Sequence, residues 1–307
     1  MSTVKIFAGR GTPQLSEKIA SYYGRELGDC HSETFSDNEI HFYFKESVRG
    51  CNVFLIQSTM PPAENIMELL LMIDAAKRAS AASVTVVVPY YGYARQDRKD
   101  KPRVSIAAKL MANLLSAAGA NRIMTCDLHA GQIQGFFDFP VDHLDGAAIF
   151  VPYIKSLELE NLKIASPDVG GSARARTYAK HFNADMVICD KHRKRANEIA
   201  SMQVIGDVTD ANVVLVDDMI DTAGTICKAA DILMEKGATS VRAVCTHGVL
   251  SGKAYENIEA SALEEVYITD TIPPKRESEK IKVLTVAELF AKAIMKIHEH
   301  GSISSLF

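Results

Sequence analysis

Between Val213 and Thr225 the chain reads VVLVDDMIDTAGT, an apolar run that ends in carboxylates and hydroxyls. The run has the composition of a buried strand, and its last residues have that of a turn entering a helix. Carboxylates repel phosphates, whereas Thr-x-Gly-Thr at a helix start attracts them. There the backbone N–H groups and the helix dipole both favour an anion. Gly224 lets the backbone approach closely, and Thr222 and Thr225 add hydroxyl donors. Asp217 and Asp218 can accept hydrogen bonds from vicinal sugar hydroxyls, or hold a metal that does. One helix cap needs one such residue. Here three Asp and two Thr fall within the nine positions from Asp217 to Thr225, with Asp221 and Ala223 completing the turn. A sugar phosphate is the smallest ligand that satisfies both ends of the motif.

Other polar groups stand at the ends of apolar runs. Asp168 in SPDVGG (166–171) is a hard oxygen donor followed by two glycines, which suits Mg²⁺ and equally suits an ordinary turn. His129 in DLHA lies just past RIMTCD, where a metal or nucleotide could reach it, although a lone His often serves as a structural donor. KHRKR, Lys191 to Arg195, lies between the strand-like MVICD and the helical pattern ANEIA. Such a basic run reads as a solvated loop or a weak polyanion patch.

The elements that must position these groups alternate along the chain. Strand candidates are VKIFAG (4–9), NVFLIQ (52–57), SVTVVVP (83–89), RIMTCD (122–127), LKIASPD (162–168), DMVICD (185–190), NVVLVDD (212–218) and SVRAVCTHG (240–248). Such near-continuous apolar runs fit strands buried on both faces of a parallel sheet. Thr12 and Pro13 suit the start of a helix that Gly28 would close, and Gly119 and Gly237 follow SIAAKLMANLLSAA and TICKAADILMEK. Strand and helix in alternation imply an α/β fold. LLSAAGANRIMTCDLH (114–129) also aligns without gaps on ILMEKGATSVRAVCTH (232–247), so two related α/β domains in tandem are expected. Upstream the echo continues only if YGYARQDRKDKPRVS carries an insertion, and long loops of that kind are usually functional or mobile.

Bulk properties narrow the classes. At 307 residues there is room for two domains, and a net charge of −4 argues against a broad nucleic-acid footprint. No apolar run approaches the roughly 20 residues needed to cross a bilayer. The six cysteines are scattered without a C-x-x-C pair, which reads as buried free thiols in a reducing compartment. MSTVKIFAGRG enters a strand directly, so no signal peptide is expected and a cytoplasmic location is.

VVLVDDMIDTAGT resembles the ribose-5-phosphate signature shared by phosphoribosyltransferases and phosphoribosyl pyrophosphate (PRPP) synthetases. GYARQDRK (92–99), TCDLHAGQIQGFF (125–137), SPDVGG and DKHRKRANE (190–198) resemble PRPP synthetase motifs in the same order, as do ETFSDNEI (33–40) and NIMELLLMIDAAKRASA (65–81). The resemblance covers essentially the whole chain. It implies transfer of the diphosphoryl group of ATP to ribose 5-phosphate, giving PRPP and AMP. It also implies two tandem phosphoribosyltransferase-like domains, each a mainly parallel sheet flanked by helices: residues 1–142, and a ribose-5-phosphate-binding domain at 143–286. The tail 287–307 would pack with the first.

The resemblance assigns roles. Asp217, Asp218, Asp221, Thr222, Ala223, Gly224 and Thr225 would bind ribose 5-phosphate. His129 would help bind magnesium-ATP, and Asp168 would supply a Mg²⁺ ligand near the ribose. Lys191 and Arg193 match the Lys-x-Arg of a flexible catalytic loop, with His192 as a spacer. Arg95 and Gln96 would meet the nucleotide, guanidinium suiting phosphate or an adenine face. Phe35, Asp37 and Glu39 would reach the ATP site of a neighbouring subunit, so a homo-oligomer, a hexamer built from dimers, is implied. Asn38 stands where the family has Gly, and Asn tolerates a left-handed backbone better than most residues. In the phosphate-activated class, Ser47, Arg49, Ser302 and Ser304 match a second anion site, implying activation by inorganic phosphate and inhibition by ADP. Two rivals are a phosphoribosyltransferase, which has no need of the ATP features, and a non-catalytic synthetase-like regulatory subunit, in which the catalytic positions would be damaged.

Overall fold

The computed structural model describes residues 3–192 and 201–306. Two compact units divide it: Met1–Gly146 with Thr285–Phe307, and Ala147–Leu284. In the first unit a five-stranded parallel sheet runs in the order β1 (Val4–Ala8), β4 (Asn52–Ile56), β5 (Ser83–Val88), β6 (Arg122–Cys126), β7 (Val141–Leu144). One face of this sheet offers Val53, Leu55, Val84, Val86, Val88 and Ile123. They pack in one core with Leu69, Met72 and Ile73 of α2 (Glu64–Arg78) and Ala108, Ala112 and Leu115 of α3 (Ala107–Ala118). Phe54, Ile56 and Val87, which alternate with them, are buried too. Burial on both faces is why these strands read as unbroken apolar runs. The helix α1 (Pro13–Tyr23) packs against α8 (Ala287–His298). A separate antiparallel hairpin, β2 (Cys30–Thr34) and β3 (Ile40–Phe44), completes the unit.

The second unit holds a seven-stranded sheet. Its order is β10 (Ser201–Ile205), β9 (Met186–His192), β8 (Leu162–Ser166), β11 (Asn212–Ile220), β12 (Ser240–Gly248), β13 (Val266–Thr269), β14 (Ile281–Leu284), parallel except for β10 at the edge. Alternate residues of β11 feed two cores. Val213 and Leu215 pack with α6 (Gly224–Glu235) and α7 (Ala254–Ala260), while Val214 and Val216 pack with α4 (Ala147–Ser156) and α5 (Ser172–Phe182).

The internal echo is visible in both units. After α3, Gly119 takes φ 110° and donates to Ser116 O, and Ala120 donates to Leu115 O. After α6, Gly237 takes φ 94° and donates to Met234 O, and Ala238 donates to Leu233 O. Each Gly-Ala pair thus closes its helix in the same left-handed cap before the next parallel strand.

Each of the eight expected strand runs coincides with a strand to within one or two residues at its ends. One helix end differs. Gly24, at φ 82°, closes α1, with its N–H and that of Arg25 returning to Ser21 O and Ala20 O. Gly28 is instead a packing glycine: a Cβ there would come within 2.3 Å of the Phe7 ring. Thr12 occupies the N-cap of α1 and Pro13 its first turn, but the Thr12 side chain makes no capping hydrogen bond. Five of the six cysteines are buried and Cys30 is half-buried, all as free thiols. No helix among the described residues is long and apolar enough to cross a membrane.

Candidate active site

In the second unit the chain leaves β8 through α5 toward β9 on one side, and leaves β11 through α6 toward β12 on the other. The carboxyl ends of two adjacent parallel strands therefore part at this point, which is where open α/β sheets bind ligands. Leu215 pairs with Ala165, and counting on three residues reaches Asp218 on one chain segment and Asp168 on the other. On the far side of β8, Ser166 pairs with Ile188, so Lys191 comes to the same edge of the sheet on β9. The ANEIA segment and Arg193 lie outside the described residues.

Asp217 and Asp218 end the apolar part of β11. The Asp218 side chain is 5% exposed and that of Asp217 26%. Arg174 of α5 donates through Nη1 to Asp218 Oδ1 at 2.9 Å and lies 3.6 Å from Asp217 Oδ1. Asp218 N–H donates to Asp217 Oδ1 at 2.8 Å. Burial and then the neighbouring Asp218 charge push the Asp217 carboxyl above the ordinary carboxylate range, against the pull of Arg174. An acid pair of this kind gains from a ligand that brings hydroxyl donors or a cation.

Beyond β11 the turn enters α6 at Gly224, two residues after the Thr222 start read from sequence. Ala223 takes the left-handed φ of 62°, and no side chain caps the helix. The first-turn N–H groups of α6 have no acceptor within the helix. Thr222 and Gly224 are exposed and Thr225 half-buried. Asp221 is engaged elsewhere, since its Oδ1 accepts from Ser251 Oγ.

Asp168 is exposed, and its Oδ1 accepts the Gly171 N–H at 2.9 Å while Ser166 Oγ donates to its carbonyl at 2.6 Å. Gly171 is required for space, since a Cβ would lie 2.7 Å from Ser166 Oγ.

In the first unit Arg95 and Gln96 follow β5 and His129 follows β6, its parallel neighbour, so all three stand at one edge of that sheet. All three are exposed. Gln132 Nε2 donates to Asp97 Oδ2 at 3.2 Å and ties the two loops together. The Gln96 backbone is held at both ends, by Tyr93 O at 3.0 Å and Ala108 N–H at 3.2 Å. Leu128 N–H donates to His143 Nε2 at 2.9 Å, which sets the turn carrying His129. Phe35, Asp37 and Glu39 occupy the tip of the β2–β3 hairpin. Phe35 is 48% exposed and stacks on His41 at 5.3 Å. Asn38 takes φ 72°, a left-handed conformation that Asn tolerates better than most residues. Ser47 and Arg49 share one exposed turn, where Arg49 N–H donates to Ser47 Oγ at 3.4 Å. Ser302 and Ser304 are exposed at the C-terminal end.

Sequence reasoning passes over several residues that shape these sites. Arg174 is one, lying within a helix whose composition announces nothing. Asp127 is another, buried at φ 36° and accepting the Gly146 N–H at 3.1 Å. Its position directly before the Leu-His pair was the available signal. Glu68 is a third: it is 1% exposed, and Arg10, Ser32 and Gln57 all donate to it, joining the hairpin to the sheet.

A family model described as the N-terminal domain of ribose phosphate pyrophosphokinase matches residues 4–119, and the phosphoribosyl synthetase-associated domain matches 165–307. A ribose-phosphate pyrophosphokinase of Porphyromonas gingivalis is 56% identical over 303 residues, 98% of this chain and 97% of the relative. The chain belongs to the ribose-phosphate pyrophosphokinase family. A ribose-phosphate pyrophosphokinase of Campylobacter jejuni is 54% identical over 308 residues, with both chains fully covered. The crystal structure of phosphoribosylpyrophosphate synthetase from Mycobacterium smegmatis superposes with a TM-score of 0.92 at 38% identity, covering 98% of this chain and 100% of that one. Membership of the ribose-phosphate pyrophosphokinases therefore extends over both units.

Proposed function

We propose that this chain is a ribose-phosphate diphosphokinase, moving the β,γ-diphosphoryl group of ATP to the anomeric hydroxyl of ribose 5-phosphate to give PRPP and AMP. The observation that carries the reading is the acid pair Asp217–Asp218 near the end of β11, followed after a short turn by the uncapped start of α6, at the point where β8 and β11 part. The acid pair would orient the ribose hydroxyls. Thr222, Ala223, Gly224 and Thr225 would hold the 5-phosphate. Arg95, Gln96 and His129 would bind ATP, joined by Phe35, Asp37 and Glu39 from a neighbouring subunit. The anomeric oxygen attacks the β-phosphorus, and the bond to the AMP oxygen breaks. Lys191 and Arg193 would stabilise charge on the migrating group. No residue is assigned as general base.

Asp168 fits Mg²⁺. It is a hard oxygen donor with an exposed carboxylate, held by the Gly171 N–H. Mg²⁺ usually takes one or two carboxylates plus substrate phosphates and keeps several waters. His129 would join on the ATP side. When bound, the ion would neutralise charge on the β and γ phosphates. Inorganic phosphate as activator, ADP as inhibitor and a hexamer built from dimers complete the proposal, with Ser47, Arg49, Ser302 and Ser304 as the second anion site.

Neither rival is favoured. A phosphoribosyltransferase would leave the ATP features without a use, and the full-length relatives are named pyrophosphokinases. A regulatory subunit would show losses at Asp168, His129, Lys191 or Arg193, and all four are present. Phosphorus NMR of the protein with ATP, Mg²⁺ and ribose 5-phosphate tests the reading. AMP together with a sugar-linked diphosphate is expected. ADP with a ribose bisphosphate would mean ordinary kinase chemistry instead.

A further inference from the structure

Three consecutive carbonyls, from the last residue of β11 into the turn that follows, are held by one neighbouring segment. Ile220 O accepts the Leu250 N–H at 3.0 Å, and Asp221 O accepts the Ser251 N–H at 2.9 Å. Thr222 O accepts from Asn257 Nδ2 at 2.9 Å. Ser251 Oγ adds its bond to Asp221 Oδ1. In an extended strand, successive carbonyls alternate sides. Here all three turn toward Leu250–Asn257. A planar trans peptide sets its N–H opposite its C=O, so the N–H groups of Thr222 and Ala223 face away from that segment. The first-turn N–H groups of α6 come next in the chain.

This arrangement has a backbone cost. Ala223 sits at φ 62°, where a Cβ crowds the following carbonyl. Such a conformation persists when its surroundings over-determine it. The two peptide units before Ala223 are the ones anchored by Ser251 and Asn257.

We propose that Asn257 and Ser251 are positioning residues for the 5-phosphate of the substrate. They hold the turn's carbonyls back and aim its N–H groups at the anion without touching it. The inference rests on reading this turn as the ribose-5-phosphate site. Asn257 is the side chain to test, because the Ser251 contribution is partly backbone. Half-buried on α7, it can become Ala without harm to the helix. Asn257→Asp keeps the shape but sets a carboxylate against Thr222 O.

Losing one such hydrogen bond corresponds to about a 3- to 10-fold change. Asn257→Ala should raise the KM for ribose 5-phosphate by that factor while the KM for ATP holds, and Asn257→Asp should raise it further. In ligand-free protein, hydrogen exchange in a peptide spanning 219–226 should quicken in both variants. Glycine takes the left-handed conformation without steric cost, so adding Ala223→Gly to Asn257→Ala should recover part of the lost affinity. A general packing defect would raise both KM values together and would not respond to that glycine. Unchanged exchange with an unchanged KM for ribose 5-phosphate overturns the proposal, as do equal rises in both KM values. Wild-type protein that makes no AMP from ATP and ribose 5-phosphate refutes the substrate reading. Faster exchange in the variants would then leave the positioning role and remove only the ligand named here.

Discussion

Arg174 Nη1 donates to Asp218 Oδ1 at 2.9 Å, so the helix after β8 supplies the counter-charge for an acid pair on β11. The Asp218 side chain is 5% exposed and that of Arg174 21%. A carboxylate this buried depends on its partner, because water cannot replace the lost charge.

Removing that partner should therefore be costly. Arg174→Ala is expected to lose about 1.5–3 kcal/mol of stability, the range for a hydrogen bond to a charged group. Urea unfolding read by linear extrapolation measures it. A loss below about 0.5 kcal/mol, the size of an ordinary surface change, would show that Asp218 finds compensation elsewhere.

Stability should also fall as the pH rises around Asp217. Its folded-state pKa is raised, first by burial and then by Asp218. Between the ordinary carboxylate range and the raised value, the folded state binds more protons than the unfolded one. The contribution is thus fully present at acid pH and lost as pH rises through the folded pKa. With 26% of the side chain open to water, screening moderates its size. Asp217→Asn cannot titrate, so its stability should depend less on pH from about pH 5 to about pH 8. Chemical denaturation across that range without metal checks this, and parallel profiles for the two proteins would contradict it.

Gly171→Ala should disturb the Asp168 turn. The added Cβ would lie 2.7 Å from the Oγ of fully buried Ser166, whose hydroxyl holds Asp168 O. Overpacking of this kind costs about 1–3 kcal/mol. The Mg²⁺ concentration for half-maximal activity should rise as the carboxylate shifts. An unchanged melting curve and metal dependence would show that Ser166 gives way harmlessly.

Lys191→Ala should lower turnover by about 10²–10³, the usual effect of removing one preorganised transition-state contact. Equilibrium affinity for ribose 5-phosphate should change little, since the proposed role begins only when the diphosphoryl group moves. Steady-state kinetics alongside calorimetric titration separates the two quantities. A near-normal rate would remove Lys191 from the mechanism.

Arg49→Ala should keep its basal activity and lose both activation by phosphate and inhibition by ADP. Assays across phosphate and ADP concentrations decide it. Full responses in the variant would clear Arg49 of any part in regulation.

The parts of the fold legible in the sequence are those with strong local signatures. Central strands such as β5 and β11 are buried on both faces, so their apolar runs stand out. The strands that pattern reading passes over lack that signal. β2 and β3 form a partly exposed hairpin, β10 and β14 lie at sheet edges, and β7 and β13 have only four residues each. Gly24 and Gly28 differ for another reason. Both follow the same helix, and composition cannot tell a glycine needed for its φ from one needed to admit the Phe7 ring.

By itself the sequence determined the chemistry of the segment Asp217–Thr225, because acids, hydroxyls and glycine adjacent in the chain must share one strand end and the turn that follows it. It also carried the family, through motifs that each lie within a few residues. Only the tertiary structure decided how those groups are held. Arg174 stands 44 residues before Asp218, and Asn257 stands 35 residues after Thr222. Contacts across such separations arise when strands pair and helices pack over them, and no local pattern of residue types records them.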